Sequence, residues 1–231
     1  AVRHLRMNTE RDVAVRGCAA LALGILGDGA CASELVAALE KDRDENVRGC
    51  AALALGRCPD PRALDALLAA AKTRHSEFAQ PYASIALGLT GKAEALDPLS
   101  EGLGSKQFDV VTSSAAGLAL LGLPEAAGPL VQALENRHHE IVREYSVVAL
   151  GRLRVAESLP RLLAALEDKD VAVRHAAALA LAVYGNPAAC PSLEKALQDK
   201  QEAVRLTASL AFDLLTDDET RALTLADRFK A

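Results

Sequence analysis

The ten-residue stretch "VRGCAALALG" occurs twice in the chain, at residues 15–24 and again, letter for letter, at residues 47–56. Related stretches follow at similar intervals, each centred on the leucine of an "LALG"-like motif. These seven anchor positions, which number the repeats one to seven, are Leu23, Leu55, Leu87, Leu120, Leu150, Leu181 and Phe212. A fixed period of this size is typical of repeat proteins. The repeats cover essentially all 231 residues.

Each repeat contains two helical patterns. The second carries apolar residues at positions i, i+4, i+7 and i+8, as in Val47, Ala51, Ala54 and Leu55. The first follows a break rich in Gly, Pro and Asp, as in "PRALDALLAAAK" at 61–72. One such pair cannot bury its apolar stripe alone, so the pairs must stack. We predict an all-α fold, a right-handed α-solenoid (superhelix) of about seven helix-pair repeats.

The spacing also predicts the boundaries of a single repeat domain, residues 1–231. A half-repeat at 12–26 is followed by repeats at about 30–58, 61–90, 93–122, 124–153, 155–185 and 187–215, and by a capping helix at 217–229. Asp44, Asp109 and Asp170 are placed to cap second helices. Pro81 would disrupt a helix interior, which predicts a bend at 72–81. The irregular repeats at 72–113 are either simple drift or a feature shaped by a partner.

Composition narrows the classes of partner and the compartment. The net charge is −5, without the basic excess expected of a duplex-binding surface, which argues against nucleic acid. Apolar runs are much shorter than the roughly 20 residues that span a bilayer, so no membrane partner is expected. Five cysteines without a CxxC motif predict small buried thiols in a reducing, cytoplasmic setting. The chain begins at Ala1, so a removed targeting segment stays open.

A charged pair recurs in several repeats. An Asp in the turn is followed six residues later by the Arg of a "VR" pair, at Asp42/Arg48, Asp168/Arg174 and Asp199/Arg205. Glu10 precedes Arg16 and Arg137 precedes Arg143, whereas repeats three and four carry Arg74/Gln80 and Gln107/Ser113. This pattern resembles the HEAT-repeat superfamily, in particular the HEAT-like repeats of phycobilin lyases. The resemblance implies structural roles for these charges, which link adjacent layers through charge-assisted hydrogen bonds.

The resemblance also implies that the second helices line a concave face. The position after the Arg varies and is expected to face solvent: Gly17, Gly49, Pro81, Ser114, Glu144, His175 and Leu206. One turn earlier lie Val13, Glu45, Glu77, Val110, Glu140, Val171 and Glu202. A uniformly apolar column contrasts with both: Leu21, Leu53, Ile85, Leu118, Val148, Leu179 and Leu210.

These columns predict a shallow groove with acidic patches. The expected partner is a protein or peptide with a basic or amphipathic segment. The expected contact residues are Glu45, Gly49, Glu77, Pro81, Ser114, Glu140, Glu144, His175, Glu202 and Leu206. The alternative is that the carboxylates only solvate the surface. The half-repeat, with Val13, Leu21 and Leu26, also allows self-association.

The chain lacks the common catalytic motifs, so no catalytic residue and no cofactor are predicted. His138, His139 and Glu140 are weak candidates for a divalent metal. One His-Glu pair cannot build the two-iron site of deoxyhypusine hydroxylase, an enzyme of the same superfamily. A non-catalytic scaffold or adaptor is therefore the main hypothesis. The alternative is a phycobilin-lyase-like or metal-dependent enzyme subunit on the same repeats.

Overall fold

A computed structural model describes residues 12–26, 29–73, 78–135 and 139–216. All regular elements within these ranges are helices, and no strand occurs among them. The chain forms two compact units, residues 1–126 and 127–231, which are described separately below.

The first unit contains seven described α-helices. They are α1 (Val13–Leu26), α2 (Ala32–Lys41), α3 (Glu45–Leu55), α4 (Pro61–Ala71), α5 (Ala79–Thr90), α6 (Leu96–Gly102) and α7 (Phe108–Leu121). Short 3-10 turns occur at Gly29–Cys31, Ala93–Ala95 and Pro124–Ala126. The second helices α1, α3, α5 and α7 pack in sequence against one another, and each first helix packs on the second helix that follows it.

The second unit repeats this arrangement with six described helices. They are α8 (Ala127–Glu135), α9 (Glu140–Leu153), α10 (Ser158–Ala165), α11 (Val171–Tyr184), α12 (Cys190–Ala196) and α13 (Glu202–Leu215), with a 3-10 turn at Pro187–Ala189. The second helix α9 packs on α11, which packs on α13. The predicted all-α solenoid of stacked helix pairs is confirmed. The predicted capping helix at 217–229 lies outside the described residues.

Local sequence explains where the second helices begin. The Asp44 carboxylate accepts hydrogen bonds from the amides of Asn46 and Val47 and caps α3. Asp109, expected to cap α7, instead lies within that helix, and the N-cap is Gln107. Asp170 is the N-cap residue of α11, but its carboxylate contacts Arg143. Pro81 lies in the first turn of α5, where its missing N–H costs nothing. Part of the predicted bend, residues 74–77, lies outside the described residues.

The repeated decamer is explained by close packing between successive second helices. A Cβ built on Gly24 would lie 2.5 Å from the Ala54 Cα, and one on Gly56 would lie 2.8 Å from the Ala86 Cα. Gly151 makes the equivalent approach to Ala180 in the second unit, at 2.8 Å from its Cα. Only glycine allows the backbones to come so near. The "ALG" letters recur because each second helix presents the same small residues to the next.

The same contacts correct the register of repeat four. Each of these glycines meets the residue that directly precedes the anchor of the next repeat. Gly88 meets Gly117, so the anchor of repeat four is Leu118, which is fully buried. The predicted anchor Leu120 was wrong: its side chain is 38% exposed. The stretch "GLALLG" offers leucines at both positions, and only packing distinguishes them.

Candidate functional site

Three arginines connect neighbouring repeats through paired hydrogen bonds. In the first unit, Arg16 donates from Nε to Asp42 Oδ2 at 2.8 Å and from Nη2 to Oδ1 at 2.9 Å. In the second unit, Arg143 holds Asp168 with two bonds of 2.9 Å. Arg174 holds Asp199 in the same way, at 2.7 and 3.0 Å. Each pair joins the Arg of one repeat to the Asp of the next.

The arginines also bind their own turn. Nη1 of Arg48 donates to the Asp42 carbonyl at 2.7 Å, and Nη1 of Arg205 donates to the Asp199 carbonyl at 2.9 Å. Arg174 makes the same bond to the Asp168 carbonyl, also at 2.9 Å. Each Asp carboxylate accepts from the amide two residues later, as in Asp42 from Asp44 at 2.9 Å. These bonds fix the turn between the two helices of a repeat.

The pairs shift the ionisation of their members. Burial opposes ionisation of Asp42 and Asp168, but hydrogen bonds from their arginines and from turn amides outweigh it and hold the pKa of both carboxyls below the usual value. The Arg174 hydrogen bond is the main reason why the pKa of Asp199 is lowered. Bonds to Asp168 and Asp199 raise the pKa values of Arg143 and Arg174. All of these groups are therefore charged at neutral pH.

Among the residues that the structure describes, repeats three and four show no such charged connection. In the corrected register the ladder positions of repeat four are Ser105 and Val111, rather than the expected Gln107 and Ser113. The Ser105 hydroxyl accepts from the Gln107 amide at 3.1 Å, which reproduces the turn bond of the Asp without its charge. Gln80 stands at the Arg position of repeat three and donates from Nε2 to the Ala71 carbonyl at 3.0 Å. Neutral hydrogen bonds thus replace the ionic pair here.

The second helices expose large apolar side chains beside polar ones. Every strongly exposed large apolar side chain that the structure describes lies on a second helix or, for Phe78, at the N-cap of one. We define the second-helix face by positions four residues apart on these helices. In the second unit these are Glu140, Glu144, Val148 and Arg152 on α9, Val171, His175, Leu179 and Val183 on α11, and Glu202, Leu206, Leu210 and Leu214 on α13.

Exposure increases towards the last described helix of this face. Val148 is 37% exposed, Leu179 is 45% exposed and Leu210 is 63% exposed. In the first unit the equivalent positions carry exposed apolar side chains: Leu21, Ile25, Leu89, Phe108 and Leu120. Leu21, Val148, Leu179 and Leu210 belong to the column whose uniformity suggested packing, so that interpretation was wrong for them. Leu53 and Ile85 of the same column are half-buried.

Several expected contact residues are buried rather than exposed. Gly49 lies against the ring of Tyr82, and Pro81 is buried in the first turn of α5. Ser114 is fully buried because, in the corrected register, it does not belong to the column after the Arg. Thr112 is the member of that column in repeat four. Val110 is likewise buried, and Phe108 is the member of the column one turn earlier in repeat four. The first unit therefore offers a different surface from the shallow acidic groove that we expected.

The expected acidic residues have distinct environments. Glu45 accepts from Arg48 Nη2 at 2.6 Å and from the Phe78 amide at 3.3 Å. Glu140 pairs with His139 Nδ1 at 3.0 Å, with both side chains about half exposed. Glu144 and His175 are half-buried, whereas Glu202 and Leu206 are exposed. Glu77 and His138 lie outside the described residues.

Other candidate chemistry is dispersed. No group of three or more His, Cys, Asp or Glu side chains suited to a metal occurs among residues 12–26, 29–73, 78–135 and 139–216. The five cysteines are free, but only Cys31 is buried, and Cys18 is exposed, contrary to expectation. A cavity of about 610 Å³ in the second unit is lined partly by Arg174 and Asp199, which already bind each other. No described helix is long and apolar enough to cross a bilayer.

Known proteins share this architecture. The structure resembles the complex of CpcE and CpcF of phycocyanin lyase from Nostoc sp. PCC7120, with a TM-score of 0.59 and 20% identity over 94% of this chain and 95% of that chain. YibA of Escherichia coli gives a TM-score of 0.60 and 16% identity, covering 92% of this chain and 91% of that chain. An engineered protein gives a TM-score of 0.54 and 20% identity, covering 94% and 68%.

No curated protein sequence matches the chain significantly. The sequence profile of HEAT repeats, in contrast, matches residues 4–81, 32–120 and 126–212. These segments include the small-residue contacts between second helices and all three Arg–Asp connections between repeats. The chain therefore belongs to the HEAT-repeat family.

Proposed function

We propose that the protein is a non-catalytic scaffold or adaptor that binds a protein or peptide segment on its second-helix face. The observation that carries this proposal is the alignment of exposed apolar side chains on successive second helices, above all Val148, Leu179 and Leu210. Scattered surface leucines are ordinary, but contiguous apolar surface marks sites of interaction. An aligned array of this kind gives a partner a continuous surface to cover.

The contrast within each repeat supports this assignment. The first helices carry no strongly exposed large apolar side chain among the described residues, although they are amphipathic and face solvent on one side. General enrichment in leucine would have affected both helix types. The exposed large apolar side chains are instead confined to the second helices, as expected if that side of the repeats is covered during function.

The relatives and the thiols fit the same interpretation. The phycocyanin lyase structure is that of a complex between two proteins, CpcE and CpcF, which supports a protein partner for a chain of similar fold. The free cysteines, one of them exposed, are compatible with a reducing compartment, and we place the protein in the cytoplasm on that basis. No arrangement of the described side chains favours a lyase-like or metal-dependent activity over binding.

Substitution of the apolar face tests the proposal. A variant with Val148→Ser, Leu179→Ser and Leu210→Ser keeps the buried anchors and changes only exposed side chains. We expect proteins retained by the wild-type chain from extracts of its own cells to fall by about tenfold or more, because apolar anchors dominate such interfaces. Quantitative mass spectrometry of the retained proteins measures the loss.

A matched variant controls for serine substitution itself. Gln132→Ser, Ala164→Ser and Glu194→Ser change three exposed positions on the first helices α8, α10 and α12. This variant should retain the same proteins as the wild type. If both variants retain the wild-type set, or if only the first-helix variant loses it, the proposed binding surface is wrong.

A further inference from the structure

The chemistry of the second unit points to a more specific partner. Resting on the function proposed above, we propose that α9, α11 and α13 together bind an amphipathic α-helix that lies across them. Its apolar stripe covers Val148, Leu179 and Leu210, and its basic edge lies towards the N-terminal ends of the three helices. The proposal rests on the spacing of the apolar side chains and on the charges that border them.

The spacing of the surface suits a helix. Packed helices lie about 8–10 Å apart, so the apolar side chains of α9, α11 and α13 recur at about that interval. An α-helix rises 1.5 Å per residue, so its positions i and i+7 are separated by about 10.5 Å on one face. Successive heptad leucines of a bound helix would therefore meet Val148, Leu179 and Leu210 in turn. A segment of at least about 15 residues, with leucines at i, i+7 and i+14, would span all three.

The charges on either side of the apolar row favour a bound helix with one basic edge. On the N-terminal side of the apolar row lie Glu140, Glu144 and Glu202, which are half-buried or exposed. Glu140 also contacts His139, and α11 carries Val171 and His175 at this level. On its C-terminal side α9 carries Arg152, whereas α11 and α13 carry Val183 and Leu214. Lysines on the edge that faces the glutamates would be attracted, and lysines on the other edge would approach Arg152. Electrostatic complementarity therefore selects a helix that is basic on one edge.

Among the described residues, the first unit carries fewer carboxylates at these positions. At the equivalent positions it carries Val13, Gly17, Glu45, Gly49, Glu77, Pro81, Phe108 and Thr112, of which Glu77 lies outside the described residues. Glu45 already accepts hydrogen bonds from Arg48 and from the Phe78 amide. An apolar surface is therefore present in both units, and among the described residues the acidic border is more extensive in the second.

Binding of defined peptides to the full chain tests this inference. The probe is a fluorescein-labelled helical peptide of about 18 residues, with leucine at i, i+7 and i+14 along one stripe and lysine along one edge. A second peptide has glutamate in place of every lysine, and a third has the first composition in scrambled order. Fluorescence anisotropy at low salt should show at least about tenfold tighter binding of the lysine-edged peptide than of either control.

Two variants and one control identify the residues that contact the lysine-edged peptide. Glu140→Lys with Glu144→Lys should remove or reverse the preference for lysine over glutamate, whereas Glu157→Lys with Glu167→Lys, both exposed at the ends of α10, should leave it unchanged. Leu210→Ser should weaken binding of the lysine-edged peptide by about fivefold or more, as expected for loss of one apolar anchor.

Three results would overturn the inference. The first is equal binding of the lysine-edged and glutamate-edged peptides, and the second is binding that Leu210→Ser leaves unaffected. The third is a wild-type dimer in sedimentation that Leu210→Ser dissociates, since a second copy would then be the occupant. Retention of natural partners that still depends on Val148, Leu179 and Leu210 would preserve the proposed function even if the peptides fail to bind.

Discussion

Replacement of Gly88 by alanine is expected to lower the free energy of unfolding by about 2–3 kcal/mol, although alanine is the better helix former. Gly88 lies inside α5 against Gly117 of α7, and an added Cβ would lie 2.7 Å from the Gly117 Cα and closer still to its carbonyl oxygen. Both contacts are to backbone, so relief requires the two second helices to separate. Urea unfolding followed by circular dichroism measures the change.

Gly128 provides the matched control. It is exposed in the first turn of α8, and a Cβ built on it would meet nothing within 4 Å. Gly128→Ala should therefore raise the free energy of unfolding by about 0.4–1 kcal/mol, because alanine restricts the unfolded chain at no steric cost. Equal effects of the two substitutions would show that successive second helices do not approach as closely as the glycine–alanine contacts require.

Replacement of Arg16 by alanine is expected to destabilise the first unit by about 3–5 kcal/mol at neutral pH. Arg16 is 1% exposed and its partner Asp42 is 4% exposed, so the substitution leaves a carboxylate in a buried site without its guanidinium. The double variant Arg16→Ala, Asp42→Ala should be more stable than Arg16→Ala alone, because it removes the stranded charge. Arg62→Ala is the exposed control: its pair with Asp60 lies at the surface and should contribute less than about 1 kcal/mol.

The Arg16 effect should depend on pH in a defined direction. In the folded wild type the pKa of Asp42 lies below its ordinary value of 3.8, so the pair stabilises the fold at and above that value. Its contribution is lost as the pH falls through the folded pKa. Without Arg16, burial favours the protonated carboxyl. The difference in unfolding free energy between wild type and Arg16→Ala should therefore be largest at neutral pH. It should begin to shrink above pH 3.8, where the carboxyl of the variant takes up its proton, and continue to shrink below it, where the wild-type carboxyl does. A difference that stays constant down to pH 2 would contradict the ionic origin of the effect.

The fold was accessible from the sequence because its strongest signal is periodic. Helix pairs must recur wherever the same apolar pattern recurs, and the two decamers alone define two adjacent layers. The register of repeat four was not accessible in the same way. Leu118 and Leu120 are both leucines near a glycine, and the contact of Gly88 with Gly117 decides between them.

The candidate surface stays a prediction, but the structure corrects which side chains of the second helices are exposed. Uniform apolar identity at Leu21, Val148, Leu179 and Leu210 suggested a packing column, and variation at the position after the Arg suggested solvent. The two assignments were partly reversed because exposure depends on the rotation of each helix against its neighbours, which periodicity does not fix. Composition at one position cannot distinguish a shared core from a shared surface.

The most direct measurement of the central claim is photo-cross-linking inside the cells that make the protein. A benzophenone amino acid is placed at position 179 or 210 on the second-helix face, and at position 164 on α10 as the control. The binding surface proposed here predicts discrete covalent adducts with a partner from 179 and 210, and none from 164. Adducts from 164 alone, or equal adducts from all three positions, would contradict it.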